Sequence, residues 1–345
     1  MTHMWSEILE QPEVLKRCIE SNEKTILSIV EAIKARNIDS VVIAARGTSD
    51  YAGTYAKYII ESVIGIPVAL AAPSIYTVYG KKLKLGNSLV IGISQSGKAA
   101  DVLEVIKGAN ESKALTLSIT NDRESPLARQ AQYHLFCDAG VEKSVAATKT
   151  FTSEMMLAAQ LVAQWSEDGQ IKNQLSGVPV NLSKVFEQEK DIINKVQRYR
   201  FISECFVLSR GINYPVALET ALKFQETCYV RARAYATSDF YHGPFAMLDK
   251  DMLAVIYAPN GPSQKDEIEM INKIKESGAE VLIVSNNKEL LESGNCTFEI
   301  PQTDNDMISP FYNVVIAQML ACRLSLCKGL NPDAPRGLNK VTITK

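Results

Sequence analysis

Residues with hydroxyl side chains follow two apolar runs of the sequence, at the point where each run ends. Thr48 and Ser49 follow the run that closes at Gly47, and the next run is followed by Ser94, Gln95 and Ser96. Each group opens a predicted helix, whose N-terminus offers backbone N–H donors and partial positive charge to an anion. The same residue types also serve as plain helix caps. Because both groups stand at the ends of predicted neighbouring strands, the sequence favours a phosphate-binding site.

A third segment of similar character, Ala146–Lys149, also opens an apolar helix, and we expect it to close the same pocket. Neither the G-x-x-x-x-G-K-[ST] motif nor the G-x-G-x-x-G motif occurs in the sequence. Their absence disfavours a nucleotide as the ligand. The expected ligand is therefore a small phosphorylated metabolite.

Three segments contain side chains suited to acid–base chemistry. Glu226 lies on a predicted helix, with Lys223 three residues earlier on nearly the same face. His242 lies in a loop between aromatic residues and a Gly-Pro pair, where a histidine is a candidate general acid or base. Lys340 lies in a non-helical segment near the C-terminus. The competing interpretations are a surface Lys–Glu pair, a structural turn histidine and a solvated tail lysine.

The elements that must position these residues are predicted from hydrophobic patterning. Continuous apolar runs, typical of parallel strands covered on both faces, occur at 40–49, 88–94, 115–120, 133–138, 204–213, 252–258, 280–286 and 297–302. Apolar residues at helical spacing lie between them, at 50–63, 99–111, 152–165, 214–229, 265–277 and 311–327, and amphipathic helix is also predicted over 5–35. Alternating strands and helices predict right-handed βαβ units and an α/β fold with doubly wound parallel sheets in α/β/α sandwiches.

The strands repeat along the chain. Arg46-Gly47 recurs as Arg210-Gly211 at an offset of 164 residues, and the runs around them recur at about the same offset. Such a repeat in 345 residues indicates two domains. The predicted organisation is a helical arm over 1–30, a first domain over 31–166, a linker and helix over 167–199, a second domain over 200–328 and a C-terminal tail over 329–345. The second repeat lacks the hydroxyl groups, so we expect the first to bind the anion.

Composition disfavours several classes of function. The chain has 37 Lys and Arg against 39 Asp and Glu, without the basic excess of a nucleic-acid or membrane-surface protein. No apolar run approaches the roughly 18 residues of a membrane span, and the N-terminus lacks a signal-peptide pattern. The seven cysteines are scattered without a C-x-x-C pair, which indicates buried thiols in a reducing compartment. We expect a cytoplasmic protein without a metal, and we assign no function to His3 or His134.

Together these motifs resemble the tandem sugar-isomerase (SIS) domain family over about residues 25–345. The matching stretches are Gly47–Ser49, Ile93–Gly97, Val145–Lys149, Ala221–Lys223 with Glu226, His242–Pro244, Asn331–Asp333 and Gly337–Thr342. Within the family, the chain is similar to the isomerase half of glucosamine-6-phosphate synthases and more similar to the SIS-type glucosamine-6-phosphate deaminases. The resemblance implies two tandem SIS domains, each with a doubly wound parallel sheet.

The resemblance also implies a role for each candidate residue. The sugar phosphate would be bound by Ser94, Gln95 and Ser96, helped by Thr48 and Ser49. Val145 would contribute backbone to the substrate pocket, and Ala147 would occupy a substrate-binding position without the side-chain contact that serine makes. Glu226 would move a proton between C1 and C2 of the sugar, with Lys223 tuning it. His242 would assist ring opening, reaching in from the partner subunit of a homodimer. Lys340 would lie over the open-chain sugar and form or support an imine. No metal or organic cofactor is implied.

The sequence departs from the synthase pattern in three places. Lys98-Ala99 replace Glu-Thr, Ala147 replaces a serine, and Met1 leads into the sugar domains without a glutaminase domain. From the last difference we expect ammonia to be released rather than captured, with glucosamine 6-phosphate converted to fructose 6-phosphate. The alternatives are another phosphosugar isomerisation, deglycation of a fructosamine 6-phosphate, and a non-catalytic phosphosugar-binding regulator.

Overall fold

A computed structural model describes residues 1–303 and 305–340, which form two compact units. The first-half unit consists of Glu13–Glu142 and Lys149–Ser176 together with Asn339 and Lys340. The second-half unit consists of Met1–Pro12, Lys143–Thr148 and Gly177–Leu338. Residues 341–345 of the predicted tail lie outside the described residues.

The first-half unit contains a five-stranded parallel sheet. Its strands are β1 (Ser40–Ala44), β2 (Val68–Leu70), β3 (Ser88–Ile93), β4 (Leu115–Thr120) and β5 (Tyr133–Phe136). They lie in the order β2-β1-β3-β4-β5, with Val42 of β1 opposite Val90 of β3. Every residue of β3 and β4 is buried, as expected for parallel strands covered on both faces.

The second-half unit contains a second five-stranded parallel sheet with the same connectivity. Its strands are β6 (Glu204–Ser209), β7 (Arg231–Ala236), β8 (Leu253–Tyr257), β9 (Glu280–Ser285) and β10 (Cys296–Glu299). They lie in the order β10-β9-β8-β6-β7, which is the order of the first sheet displaced by five strands. The predicted α/β fold with two doubly wound parallel sheets is confirmed.

Helices connect the strands in both units. In chain order they are α1 (His3–Leu9), α2 (Gln11–Ala35), α3 (Thr48–Ile59), α4 (Ser74–Thr77), α5 (Ala100–Glu111), α6 (Pro126–Gln130), α7 (Lys149–Trp165), α8 (Gly169–Phe186), α9 (Glu189–Lys195), α10 (Tyr214–Cys228), α11 (Thr237–Phe240), α12 (Gln264–Glu276), α13 (Lys288–Ser293) and α14 (Ser309–Cys327). The helices predicted from apolar spacing are all present, with ends within a few residues of the predicted ones.

The sequence patterns missed one strand in each unit, the long helix α8 and the short helices α4, α6, α11 and α13. Strand β2 is apolar but only three residues long and directly follows Pro67, and β7 alternates arginine with small residues instead of forming a continuous apolar run. Both are edge strands, which need less apolar surface than central ones. The polar stretch 166–184, interpreted from its composition as a linker, is helical from Gly169 onward in α8.

Helix α14 is a core element of the second-half unit. In the described part of the chain, it alone is long and apolar enough to cross a membrane by length and composition, and 83% of its apolar window is buried inside the protein. It supports α10 through two hydrogen bonds, from the Ser325 hydroxyl to the Thr227 carbonyl at 2.7 Å and from the Cys228 thiol to the Ala321 carbonyl at 3.2 Å. Helix α14 therefore fixes the C-terminal end of the helix that carries the predicted acid–base pair.

Candidate functional site

The two predicted phosphate-binding groups follow the carboxyl ends of two adjacent strands of the first sheet, and this end of the sheet is called its edge below. Strands β1 and β3 are parallel neighbours. After β1 the chain forms β2 on one side of β1 and then crosses over to form β3 on its other side. This arrangement makes the gap between β1 and β3 a switch point, where open α/β sheets bind ligands. Thr48 and Ser49 open α3 after β1, and Ser94–Ser96 form the turn between β3 and α5.

At the start of α3, the Ser49 hydroxyl already has a protein partner. It donates a hydrogen bond of 2.9 Å to Oε1 of Glu154, which is buried in α7. The residue before the helix, Gly47, has φ +56° and leaves the first turn without a side-chain cap. Because its proton is engaged, Ser49 can meet a ligand through its oxygen lone pairs or its backbone N–H. Thr48 is the more exposed of the two residues.

The turn after β3 is rigid and retains unused donors. The N–H of Gly97 donates to the carbonyl of Ser94, and that of Asn121 donates to the carbonyl of Gln95, each at 3.0 Å. Gly97 has φ +61°, and a Cβ there would lie 2.2 Å from Oγ of Ser125, so glycine is required. Within the described residues, the Ser94 hydroxyl and the Gln95 amide form no hydrogen bond. The turn thus presents polar side chains that a ligand can use.

An ion pair that the sequence analysis missed lies at the same edge. Ala99 gives α5 no side-chain cap, and Asp101 in its first turn pairs with Arg46 at the end of β1. The Arg46 side chain remains 53% exposed, so the pair adds a cationic group to the edge. The repeated Arg-Gly dipeptide is the sequence signal that could have found it, because Arg210 pairs with Asp266 in the second-half unit.

The predicted acid–base pair lies on α10 in the second-half unit. The Lys223 side chain is fully buried, and its Nζ contacts Oε2 of Glu226 and lies 3.4 Å from Oε1 of Glu219. The Glu226 side chain is 20% exposed. A surface Lys–Glu pair is therefore the wrong interpretation, because the lysine is in the interior. Glu219, four residues before Lys223, was missed although helical spacing places both on one face.

His242 lies in the turn after α11 and is exposed. Its backbone N–H donates to the carbonyl of Asp239 at 3.0 Å, and Gly243 follows with φ +135°. In the portion of the chain described, no hydrogen bond or ion pair joins the imidazole to Lys223 or Glu226. The structure therefore does not bring His242 together with the other predicted acid–base residues through a direct bond.

Val145 and Ala147 lie in an irregular segment of the second-half unit, and both are half-buried. The Val145 N–H donates to the carbonyl of Asp333 at 3.4 Å. The Asp333 carboxylate accepts hydrogen bonds from the N–H groups of His3 and Met4 at 2.8 and 2.7 Å, at the start of α1. Asp333, which belongs to the predicted tail, therefore fixes the segment that carries Val145.

Lys340 has a partner that sequence analysis did not find. Its Nζ lies 2.8 Å from Oε2 of Glu142, whose side chain is fully buried in the first-half unit. Glu142 also accepts hydrogen bonds from the backbone N–H and the hydroxyl of Thr150 at 3.2 and 2.8 Å. The interpretation of Lys340 as a solvated tail lysine is wrong. Glu142 and Lys340 are 198 residues apart, so no local pattern links them.

The corresponding edge of the second sheet has a different chemistry. Glu267 on α12 is fully buried and accepts hydrogen bonds through Oε1 from the Ser209 hydroxyl, the Arg210 N–H and the Ser263 hydroxyl at 3.2, 3.1 and 3.3 Å. Burial raises the pKa of Glu267 to about 8. A buried carboxyl group with a raised pKa therefore lies at the end of the second sheet where the first sheet has its hydroxyl-rich turn.

The elevated pKa of Glu267 predicts a pH-dependent stability. Because the folded pKa exceeds the unfolded value of about 4.3, the folded state binds more protons between these values. The free energy of unfolding should fall by up to about 1.4 kcal/mol per pH unit as the pH rises through this window. Chemical denaturation of wild type and Glu267→Gln between pH 5 and 9 measures this, with a flatter profile expected for the variant. Parallel profiles would contradict the assignment.

His134, to which we assigned no function, lies in β5 with a ring nitrogen 2.9 Å from Oγ1 of Thr120. Burial lowers the pKa of His134 to about 4, which keeps the ring neutral near pH 7. Six of the seven cysteines are buried and all seven are free thiols. Among residues 1–303 and 305–340, no three His, Cys, Asp or Glu side chains are grouped as metal ligands.

The sequence is similar to proteins of one family in both halves. A family model described as the SIS domain matches residues 34–164 and 203–328. A glutamine–fructose-6-phosphate aminotransferase (isomerizing) from Methanothermobacter thermautotrophicus is 32% identical over 339 residues, which cover 98% of this chain and 56% of that protein. The chain thus spans little more than half the length of the curated relatives it matches.

Solved structures are similar over nearly the whole chain. The C-terminal domain of a glucosamine-fructose-6-phosphate aminotransferase from Francisella tularensis has a TM-score of 0.88 at 26% identity, covering 97% of this chain and 98% of that one. A glucosamine-6-phosphate deaminase from Thermotoga maritima has a TM-score of 0.80 at 23% identity, covering 99% of this chain and 100% of that one. The latter similarity shows the fold alone.

Proposed function

The chain belongs to the SIS domain family, and from this premise we propose that it is an enzyme that isomerises and deaminates glucosamine 6-phosphate to fructose 6-phosphate and ammonia. The observation that carries the proposal is the α10 group, in which a buried ammonium from Lys223 contacts the partly exposed carboxylate of Glu226. A carboxylate held in one geometry, with part of its surface open, suits a general base.

The switch-point edge of the first sheet is the proposed phosphate site. Ser94, Gln95 and Ser96 offer polar side chains on a rigid turn, with Thr48 and Ser49 at the start of α3. A dianionic phosphate suits this edge because two helices begin there with no side-chain cap, leaving N–H donors available. Binding the phosphate would hold the open-chain sugar for reaction at its other end. Val145 and Ala147 are proposed to border the sugar.

The proposed mechanism uses the carbonyl of the open-chain sugar as the electron sink. His242 assists opening of the pyranose ring to the C1 aldehyde. Glu226 removes the proton from C2, which gives an enolamine, and a proton is returned to C1. The resulting C2 imine adds water and loses ammonia, which leaves the C2 ketone of fructose 6-phosphate. Lys223 tunes Glu226, and Lys340 supports the open-chain carbonyl.

The assembly and location follow from the same proposal. We propose a homodimer in which His242 acts on the partner's substrate, because the imidazole is exposed and has no bond to Glu226 or Lys223 within the described residues. Cytoplasmic location is supported by the seven free cysteines, which suit a reducing compartment. Neither nucleic acid nor membrane is proposed as a partner.

A second candidate function is a phosphosugar isomerisation without ammonia release. The curated relatives are named as isomerizing enzymes, and the C2-to-C1 proton transfer is the same for either outcome. A panel of hexose 6-phosphates and amino-hexose 6-phosphates, screened by thermal shift and then assayed for ammonia and ketose, separates the two. Ammonia from glucosamine 6-phosphate supports the deaminase, and ketose without ammonia from a neutral aldose phosphate supports the isomerase. Stabilisation without any product would leave only a phosphosugar-binding protein.

Ser96→Ala is expected to raise KM by about 10- to 100-fold with little change in kcat, because one hydrogen bond to a charged phosphate is worth about 1.5–3 kcal/mol. Steady-state kinetics on the substrate found in the panel measures both constants. Ser28→Ala, which removes an exposed hydroxyl from α2, is the matched control. A fall in kcat at unchanged KM would instead assign Ser96 to the chemical step.

A further inference from the structure

Glu142 is a buried carboxylate with an exceptional set of partners in the first-half unit. Its side chain has no exposed surface, and it accepts hydrogen bonds from the Thr150 N–H at 3.2 Å, the Thr150 hydroxyl at 2.8 Å and the Lys340 ammonium at 2.8 Å. A carboxylate removed from water is unfavourable unless it is paired and hydrogen-bonded. Lys340 supplies the opposite charge, so the pair lowers the cost of burying Glu142.

The pair also restricts Lys340. A lysine side chain has four rotatable carbon bonds and is normally mobile at a surface. The Lys340 side chain is only 26% exposed, and its Nζ is held by an oxygen that Thr150 fixes in turn. Thr150 is the second residue of α7, so the geometry is transmitted from a helix of the domain core to the ammonium group of Lys340.

We infer that Glu142 is the positioning residue for Lys340, holding its ammonium in place for the sugar. This inference rests on the proposed function, because Lys340 acts on the substrate only there. Glu142 does not itself touch the sugar in this scheme. It differs from a purely structural buried acid because its loss would move the ammonium of Lys340 and leave the fold of α7 in place.

Thr150 allows one contribution to this arrangement to be removed by itself. Thr150→Val removes the hydroxyl bond to Oε2 of Glu142 and keeps both the backbone N–H bond and the pair with Lys340.

Glu142→Gln tests the inference, since glutamine keeps the acceptor oxygen and the shape but loses the charge. We expect kcat to fall about tenfold or more with KM changed little. In a double-mutant cycle, adding Glu142→Gln to Lys340→Met should cause no further loss of kcat, because Glu142 acts through Lys340. Losses that multiply in the double variant, or an unchanged kcat in Glu142→Gln, would overturn the inference.

Two further variants keep the test interpretable. Glu142→Asp retains the charge and should recover part of the kcat lost in Glu142→Gln, and Thr150→Val should lower kcat less than Glu142→Gln does, because it keeps the pair with Lys340. Glu167→Gln, which removes an exposed carboxylate paired with Lys34, is the control for loss of an ion pair in the same unit. If Glu142→Gln fails to fold, Glu142→Asp takes its place, because the shorter side chain draws the carboxylate away from Lys340 and should lower kcat below wild type; an unchanged kcat in Glu142→Asp would then overturn the inference.

A readout without turnover separates this inference from the proposed function. The rate at which an amine-reactive reagent labels Lys340, measured by mass spectrometry, should rise severalfold in Glu142→Gln and stay unchanged in Glu167→Gln. If wild type turns over no phosphosugar but the labelling rate rises as stated, the proposed function fails and the positioning of Lys340 stands. An equal labelling rate in wild type and Glu142→Gln would overturn the positioning role regardless of activity.

Discussion

Glu226→Gln is expected to reduce kcat by about 10²–10⁴-fold while phosphosugar binding is retained, because the variant keeps the size of the side chain and loses the base. Removing the proton from C2 requires a group that accepts it, and the amide of glutamine does not. The measurement pairs steady-state kinetics with calorimetric titration of the same phosphosugar into wild type and variant. Equal dissociation constants with a large fall in kcat would assign Glu226 to the chemical step.

The control for this variant is a helical ion pair away from the proposed site. Asp191 and Lys195 form such a pair, with a separation of 2.7 Å and both side chains partly exposed. Asp191→Asn should leave kcat and binding at wild-type values, because an exposed pair contributes little. A Glu226→Gln enzyme with undiminished kcat would remove Glu226 from the mechanism, whatever the control showed.

Lys223→Met is expected to have the largest effect on stability, with a loss of about 3–5 kcal/mol in the free energy of unfolding. The lysine is fully buried between Glu219 and Glu226, and methionine removes the cation that both carboxylates contact. Removing one member of a buried ionic group leaves buried negative charge without that partner. Urea denaturation of wild type and variant at neutral pH measures the loss.

The matched control is Lys172→Met, which removes a lysine from an exposed pair with Glu23 in the first-half unit. Its cost should be below about 1 kcal/mol, because solvent screens such pairs. Equal unfolding free energies for Lys223→Met and wild type would show that Lys223 does not form a stabilising ionic contact with Glu219 and Glu226. Activity is expected to fall with Lys223→Met as well, since the ammonium fixes the Glu226 carboxylate.

Much of the fold followed from the sequence because parallel strands buried on both faces leave continuous apolar runs. The runs ending at Ser94 and Ala258 are of this kind, and both became central strands, β3 and β8. The edge strand β7 was not predicted because its two arginines are exposed and interrupt the apolar residues. Helix α8 was not predicted either, because the polar residues of a surface helix give it the same composition as a linker.

The residues of the candidate site also fall into those that local sequence patterns predict and those that they do not. Residues whose role depends on local position, such as the Ser94–Ser96 turn and the Lys223–Glu226 helical pair, could be identified from spacing. Partners brought in by tertiary structure could not. The contact of Glu142 with Lys340 spans 198 residues, and that of Glu154 with Ser49 spans 105, so no periodicity in the chain points to either.

The proposed function depends on removal of the C2 proton of a phosphorylated amino sugar. A proton NMR time course of glucosamine 6-phosphate with the purified protein follows this step. We predict that the C2 proton signal disappears as fructose 6-phosphate forms, with ammonia released in equal amount. A bound sugar phosphate whose C2 proton signal persists at full intensity, with no ketose formed, would contradict the proposed function.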